Sequence, residues 1–310
     1  WGAPDVGDLP PLNAAGDRVA KVSVTFSGSL VSSVDGAGDF NGDGVDDIVI
    51  GLPTSGRVTD PETERTESRG EAIVLFGGAR PASITLDGPP APGEGLRIVG
   101  ARADGEAGRV ARAAGDVNGD GFGDLIVTAP RADGDAGAAF LPFGGSDLPA
   151  EIDLGALGAG EGMRIGGAGD GARLGQAAAA LGDVNGDGFD DVILGAPGVG
   201  EAHVIFGAAA LPDTLDLGLA PESRALRLTG NVANPDNGFG SAVAGPGDLN
   251  GDGLADIAVS GSFEAAAFVF YGEATLAGDP EVIVDTLEDV VDPDDGVTSL
   301  REAVEIANAR

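Results

Sequence analysis

Four nine-residue loops hold most of the side chains in this chain whose types and spacing could do chemistry. Each places an oxygen-bearing residue at alternate positions: Asp39, Asn41, Asp43 and Asp47; Asp116, Asn118, Asp120 and Asp124; Asp183, Asn185, Asp187 and Asp191; Asp248, Asn250, Asp252 and Asp256. Calcium takes six to eight oxygens, and a tight loop can offer them from positions 1, 3, 5, 7 and 9. The seventh residue (Val45, Phe122, Phe189 or Leu254) has no ligating side chain, so its carbonyl is assigned. Glycines at positions 4 and 6, such as Gly186 and Gly188, permit the positive φ that such a loop needs. Three carboxylates and one amide favour a hard cation over zinc, in keeping with a chain that has no cysteine. The expectation is Ca2+, about four ions, one per loop.

Two other readings fit fewer of the residues. Asp, Asn and Gly are common turn formers, so one such loop alone could be a turn that binds nothing. Four copies with every side-chain ligand intact argue against that. A helix–loop–helix calcium hand needs a bidentate Glu at position 12. Here that position is Ile50, Val127, Leu194 or Val259, so the hand is excluded.

The elements around the loops repeat with them. The first aspartates are 77, 67 and 65 residues apart, the signature of a repeat array. Short apolar runs follow each loop: Ile48-Val-Ile50, Leu125-Ile-Val127, Val192-Ile-Leu194 and Ile257-Ala-Val259. They read as buried strands. A second strand family falls at 71–76, 138–143, 201–206 and 265–270, and a third at 96–99, 163–165 and 226–229. The segments before the loops, at 108–113, 175–180 and 240–244, give a fourth. Four short strands per repeat predict an all-β fold, a β-propeller of four-stranded antiparallel blades.

Phe239-Gly240 before the fourth loop, and Gly195-Ala-Pro197 after the third, resemble the FG-GAP repeat of integrin alpha-chain propellers and bacterial surface proteins. The resemblance covers residues 18–275 or so. Its flanking words vary: the Phe-Gly position is Leu174-Gly175 or Ala107-Gly108, and Gly-Ala-Pro becomes Gly51-Leu-Pro53, Thr128-Ala-Pro130 or Ser260-Gly-Ser262. The resemblance implies seven blades in the complete ring, of which four repeats are present, so the domain at 1–275 is expected to be N-terminally truncated. A closed four-bladed ring, with Val22–Phe26 completing the last blade, is the alternative.

Composition bounds the setting. The 310 residues are 42% hydrophobic, enough for a sizeable core, with 51 acidic against 17 basic residues and a formal charge of −34. Four calcium ions would leave about −26. Such a surface repels nucleic acid and anionic membranes. No stretch is long or apolar enough to span a bilayer, so no membrane insertion is expected. The chain opens on Trp1 instead of Met, so its natural start is expected to lie upstream. Extracellular calcium modules bind at about 10⁻⁴–10⁻³ M, which only an extracellular setting keeps filled. Secretion or cell-surface display follows as the expectation.

Strand alternation places the binding surface. If the metal loop joins strands one and two at one end of a blade, the two-to-three and four-to-one connections lie at the other. Residues 54–69, 101–106, 168–173 and 231–237 should therefore share a rim, and 54–69 is the one long polar insertion. An extracellular protein or glycan is the expected ligand.

Catalytic candidates are poor, and no enzymatic activity is expected. His203, the sole histidine, sits in a strand where the first repeat has Ile73, and no nucleophile elbow or phosphate loop is present.

The last segment, 276–310, changes character. After a strand at Glu281-Val-Ile-Val-Asp285 and an acidic turn, Ser299-Leu-Arg-Glu302 forms a capping box for a helix. Thr298-Ser-Leu-Arg-Glu-Ala-Val304 resembles the CSLREA motif of prokaryotic surface proteins, with Thr298 in place of its Cys. That resemblance implies the lead-in to a parallel β-helix beyond Arg310. An accessory domain of an exported polysaccharide-acting β-helix enzyme, or a structural spacer, is therefore the rival to an adhesion or ligand-binding scaffold.

Overall fold

The computed structural model describes residues 21–25, 30–59, 66–78, 83–102, 105–221, 223–230, 238–261, 266–274, 276 and 281–283. The strands run in order as β1 (Lys21–Val24), β2 (Ser33–Gly38), β3 (Asp47–Leu52), a small hairpin of β4 (Arg57–Thr59) and β5 (Thr66–Ser68), β6 (Glu71–Leu75), β7 (Ser83–Leu86) and β8 (Gly95–Val99). The second repeat supplies β9 (Ala111–Gly115), β10 (Asp124–Ala129), β11 (Ala138–Pro142), β12 (Glu151–Asp153) and β13 (Gly162–Gly166). The third supplies β14 (Ala177–Gly182), β15 (Asp191–Ala196), β16 (Glu201–Ile205), β17 (Thr214–Asp216) and β18 (Ala225–Thr229). The fourth begins with β19 (Phe239–Gly247), β20 (Asp256–Gly261) and β21 (Ala266–Phe270), and β22 (Glu281–Ile283) ends the described chain.

These strands make the expected propeller blades. Antiparallel pairing gives β2-β3-β6-β8, β9-β10-β11-β13 and β14-β15-β16-β18, with β19-β20-β21 as the fourth blade. The four strand families read from the sequence overlap these strands, the segments read at 108–113 and 175–180 beginning three and two residues before β9 and β14. A fifth strand in each sheet was not expected: β12 pairs in parallel with β8 and β17 with β13, and β22, which falls in the strand read at 281–285, pairs in the same way with β18. Each is a short piece of the next repeat's three-to-four connection, or lies at the matching place after β21, and it laces its blade to the neighbour. Its signal is small, one buried apolar residue between polar ones, as in Glu151-Ile-Asp153 and Thr214-Leu-Asp216.

The core lies between blades. Val49, Val74 and Ile98 of the first blade face Leu125, Val127 and Phe140 of the second. The other face of the first blade, Ile50, Leu52, Ile73 and Leu75, packs with Leu86 and the β1 residues Val22 and Val24. Because both faces of the middle strands are covered, β10 and β15 are buried at every position and read as unbroken apolar runs.

The variable family words sit at close backbone approaches. A Cβ on Gly195 would lie 2.0 Å from the Gly240 carbonyl, and one on Gly51 lies 2.2 Å from that of Gly108. Blades thus touch through glycine where their inner strands converge.

β1 pairs with β7 and not with β21, so residues 22–24 do not close the fourth blade into a four-bladed ring. β22, on the far side of the 275/276 boundary, is hydrogen-bonded to the third blade. The capped helix and CSLREA-like stretch lie outside the described residues.

Candidate metal loops and the opposite rim

All four loops are built alike. The position 1 aspartate accepts the position 6 N–H at 2.9 Å in every copy, from Gly44, Gly121, Gly188 and Gly253. The position 3 Asn accepts the position 5 N–H through Oδ1 and donates from Nδ2 to the position 5 carboxylate, as Asn41 does with Asp43. The position 5 carboxylate accepts the position 7 N–H, at 2.9–3.1 Å across the four loops. Glycines at positions 4 and 6 take positive φ, 74° and 91° at Gly119 and Gly121.

Position 9 anchors the loop to its blade. Asp47, Asp124, Asp191 and Asp256 are buried. One oxygen of each accepts the position 2 N–H (Phe40, Val117, Val184, Leu249), and the other accepts the N–H of the glycine after strand three (Gly77, Gly144, Gly207, Gly272). Only glycine fits there, because a Cβ would lie 2.3–2.4 Å from the position 8 carbonyl. These four glycines have a role the sequence reading missed; their signal is the repeated aromatic-Gly pair that ends each third strand.

The electrostatics of position 9 in the first three loops are those of a carboxylate without its counter-charge. Burial pushes Asp124 and Asp191 up to about 7, against the two backbone N–H groups that stabilise their anions. Asp47 is raised for the same reason. Asp39 Oδ1 is buried with no hydrogen-bond partner. Oxygen-only donors, an orphaned carboxylate oxygen and buried aspartates short of positive charge are chemically suited to a hard divalent cation. Among the described residues, no three acidic or imidazole side chains converge closely enough to hold an ion as they stand.

Successive loops are chained together. The position 8 N–H donates to the position 1 carbonyl of the preceding loop: Gly123 to Asp39 at 3.2 Å, Asp190 to Asp116 at 3.2 Å, and Ala255 to Asp183 at 3.0 Å. The position 2 carbonyls of Phe40, Val117 and Val184 each accept an N–H from the next blade, from Gly145, Ala208 and Glu273 at 2.9 Å. The position 7 side chain rests on the preceding loop, with Phe122 over Gly42 and Phe189 over Gly119.

The connections at the other end of the blades share a rim, as strand alternation requires. Arg69 O accepts the Ala107 N–H, Gly105 O accepts that of Arg131, and Asp135 O accepts that of Arg173. Thr54, Ser68, Glu106, Arg131, Gly134 and Asp135 line a polar depression of about 400 Å³ between the first two blades. Arg131 pairs with Glu106 at 3.1 Å and Asp135 at 3.5 Å, while Arg102 and Arg164 both pair with Asp133. The non-glycine residues described with positive φ are Glu106, Asp133, Asp135 and Arg173, all on this rim. Residues 60–65, 103–104 and 231–237 of the expected rim lie outside the described set.

His203 is buried in β16, its Nε2 3.1 Å from Glu201 Oε2. It occupies the core position of Ile73, away from any cavity described above.

The FG-GAP repeat family model matches residues 31–65, 113–141 and 175–209, which contain the first three loops. Among relatives, an integrin alpha pat-2 of Caenorhabditis briggsae is 28% identical over 281 residues, 84% of this chain and 20% of the relative. Integrin alpha-5 of Xenopus laevis is 27% identical over 67% of the chain and 19% of its own length. Integrin alpha-3 of Cricetulus griseus is 34% identical over 50% of the chain and 13% of its own. The chain therefore spans a fifth or less of these relatives.

Proposed function

We propose that this integrin-alpha-like FG-GAP repeat domain is a calcium-stapled, non-enzymatic scaffold on an exported or cell-surface protein, which presents the rim opposite its metal loops to an extracellular protein or glycan. The observation that carries the calcium reading is the fourfold repetition of the loop, with the same position 6 to position 1, position 5 to position 3, position 7 to position 5 and position 2 to position 9 hydrogen bonds in every copy. The position 1, 3, 5 and 9 side chains and the position 7 carbonyl of each would ligate one ion: Asp39, Asn41, Asp43, Val45 and Asp47 in the first, and their equivalents in the others. A calcium ion would supply the positive charge that buried Asp124 and Asp191 lack, and would draw the position 1 and 5 carboxylates inward.

Support for the rim comes from its chemistry. Paired arginines and carboxylates, threonine and serine hydroxyls, and a concave surface on rigid blades can bind a polar ligand. No helix among the described residues is long and apolar enough to cross a membrane. The segment at 276–310 is read as the lead-in to a further exported domain.

Calorimetric titration of EDTA-stripped protein with calcium, with magnesium as control, tests the reading. Near four ions per chain and a raised melting temperature are expected. Absence of binding at millimolar calcium would reduce the loops to turns.

A further inference from the structure

A second cavity lies at the metal-loop end of the blades, away from the rim depression. It has a volume of about 540 Å³ and sits between the second loop and the connection from β11 to β13. Phe122, Phe143, Leu148, Ile152 and Leu157 give it apolar walls, and its charged lining is wholly acidic: Asp120, Asp147, Glu151, Asp153 and Glu161. No arginine or lysine is among the described residues that line it.

Three of these carboxylates are already engaged. Glu151 pairs with Arg97 at 3.1 Å and Asp153 with Arg69 at 3.3 Å, both arginines belonging to the first repeat. Asp120 is a proposed calcium ligand. Asp147 and Glu161 belong to no loop, and neither has an ion-pair partner among the described residues. Glu161 Oε2 accepts the Gly158 N–H at 2.8 Å, which fixes the carboxylate and leaves Oε1 open.

The third repeat supplies a reference for what this place takes. Its connection from β16 to β18 is anchored alike: the Phe143 N–H donates to the Glu161 carbonyl at 3.0 Å, and the Phe206 N–H to the Arg224 carbonyl at 3.0 Å. Gly145 and Ala208, two residues further on, donate to the Phe40 and Val117 carbonyls at 2.9 Å. Arg224 therefore stands where the second repeat has Glu161, and Ala210 where it has Asp147. The Arg224 guanidinium reaches the Ala210 carbonyl and donates to it at 3.1 Å. One repeat spans this place with its own guanidinium. The other has an acid at each end of the same reach and an open cavity.

We propose that the cavity of the second repeat binds a guanidinium supplied from outside, the arginine side chain of a protein partner, held between Glu161 and Asp147. A carboxylate matches the planar guanidinium fork with two parallel hydrogen bonds. The apolar walls suit the aliphatic stem, and the rings of Phe122 and Phe143 favour a cation at their faces. The volume is within the range of small-ligand sites, about 300–1,000 Å³. Glu161 and Asp147 lie outside both the calcium loops and the rim, so the site stands independently of the function proposed above.

NMR titration of the intact, isotope-labelled chain with acetyl-arginine amide tests this, in calcium and again in EDTA, with the neutral citrulline amide as control. Saturable shifts are expected at the Leu148, Leu157 and Glu161 amides in both conditions, weakening with added salt. The citrulline amide should bind about tenfold more weakly or worse, because it lacks the charge. Glu161→Arg installs the arrangement of the third repeat and should abolish binding. Glu161→Gln keeps the side-chain volume and should weaken binding by about tenfold or more, which covers the case of an arginine variant that fails to fold. Shifts that never saturate, that appear at Glu106 and Asp135 on the rim instead, or that persist in the variants overturn the proposal. So does equal binding of the citrulline amide.

Discussion

The Asp190 carboxylate accepts a hydrogen bond from the Asp116 N–H at 2.8 Å, while its own N–H donates to the Asp116 carbonyl at 3.2 Å. This reciprocal pair ties the third candidate metal loop to the second through position 8, a residue with no place in the proposed ligand set. The other two junctions have Gly123 and Ala255 there and keep only the backbone half. Asp190→Ala should therefore convert the middle junction to the simpler kind, at a cost of about 1 kcal/mol. Chemical denaturation should show the loss without a change in calcium stoichiometry.

The two loop glycines differ in what surrounds them. At Gly121 the cost of an added methyl is backbone strain alone, since φ is 91° and nothing lies within 4 Å of the Cβ. At Gly119 the same strain comes with a Cβ placed 2.5 Å from the Phe189 ring. Gly121→Ala should cost about 1–2 kcal/mol and Gly119→Ala about 1–3 kcal/mol more. Equal losses in urea titrations would mean that the ring does not pack on the preceding loop.

Position 9 carries two duties that one substitution separates from the rest of the loop. In Asp124→Asn one of the two acceptor oxygens becomes an NH2 facing the Val117 or Gly144 N–H. The metal-free protein should lose about 1–3 kcal/mol. Calcium stoichiometry should fall by one, from near four to near three per chain, because the substituted loop loses a carboxylate ligand. An unchanged stoichiometry would remove Asp124 from the ligand set.

The pH dependence has a definite sign. Asp124 and Asp191 bind protons up to about 7 in the folded, metal-free state, but only up to the ordinary aspartate range near 3.8 when unfolded. Folding thus takes up protons between these values, and their contribution to stability is fully present below about pH 4 and lost as pH rises through 7. Asp248, held low chiefly by the Gly253 N–H, acts in the opposite sense only at lower pH. EDTA-treated protein should therefore melt higher at pH 5 than at pH 8, with calcium affinity weakening over the same acidification. A melting temperature that climbs from pH 5 to 8 without metal would contradict this.

What the sequence determined by itself is what neighbouring residues impose on one another. Ligand spacing, the glycines at positions 4 and 6, and the apolar runs of the second and third strands are all local. The blades, the loops and their count of four were legible for that reason, and the alternation of strand direction was enough to place residues 54, 68 and 106 on one rim. Only the tertiary structure decided how the blades hold each other. The Asp190–Asp116 pair, the glycines after strand three and the parallel lacing by β12 and β17 depend on backbone N–H groups meeting acceptors sixteen or more residues away, or on single buried side chains such as Ile152 and Leu215. Every residue type carries the same backbone groups, so a contact made through them leaves no mark in the order of side chains until the chain is folded.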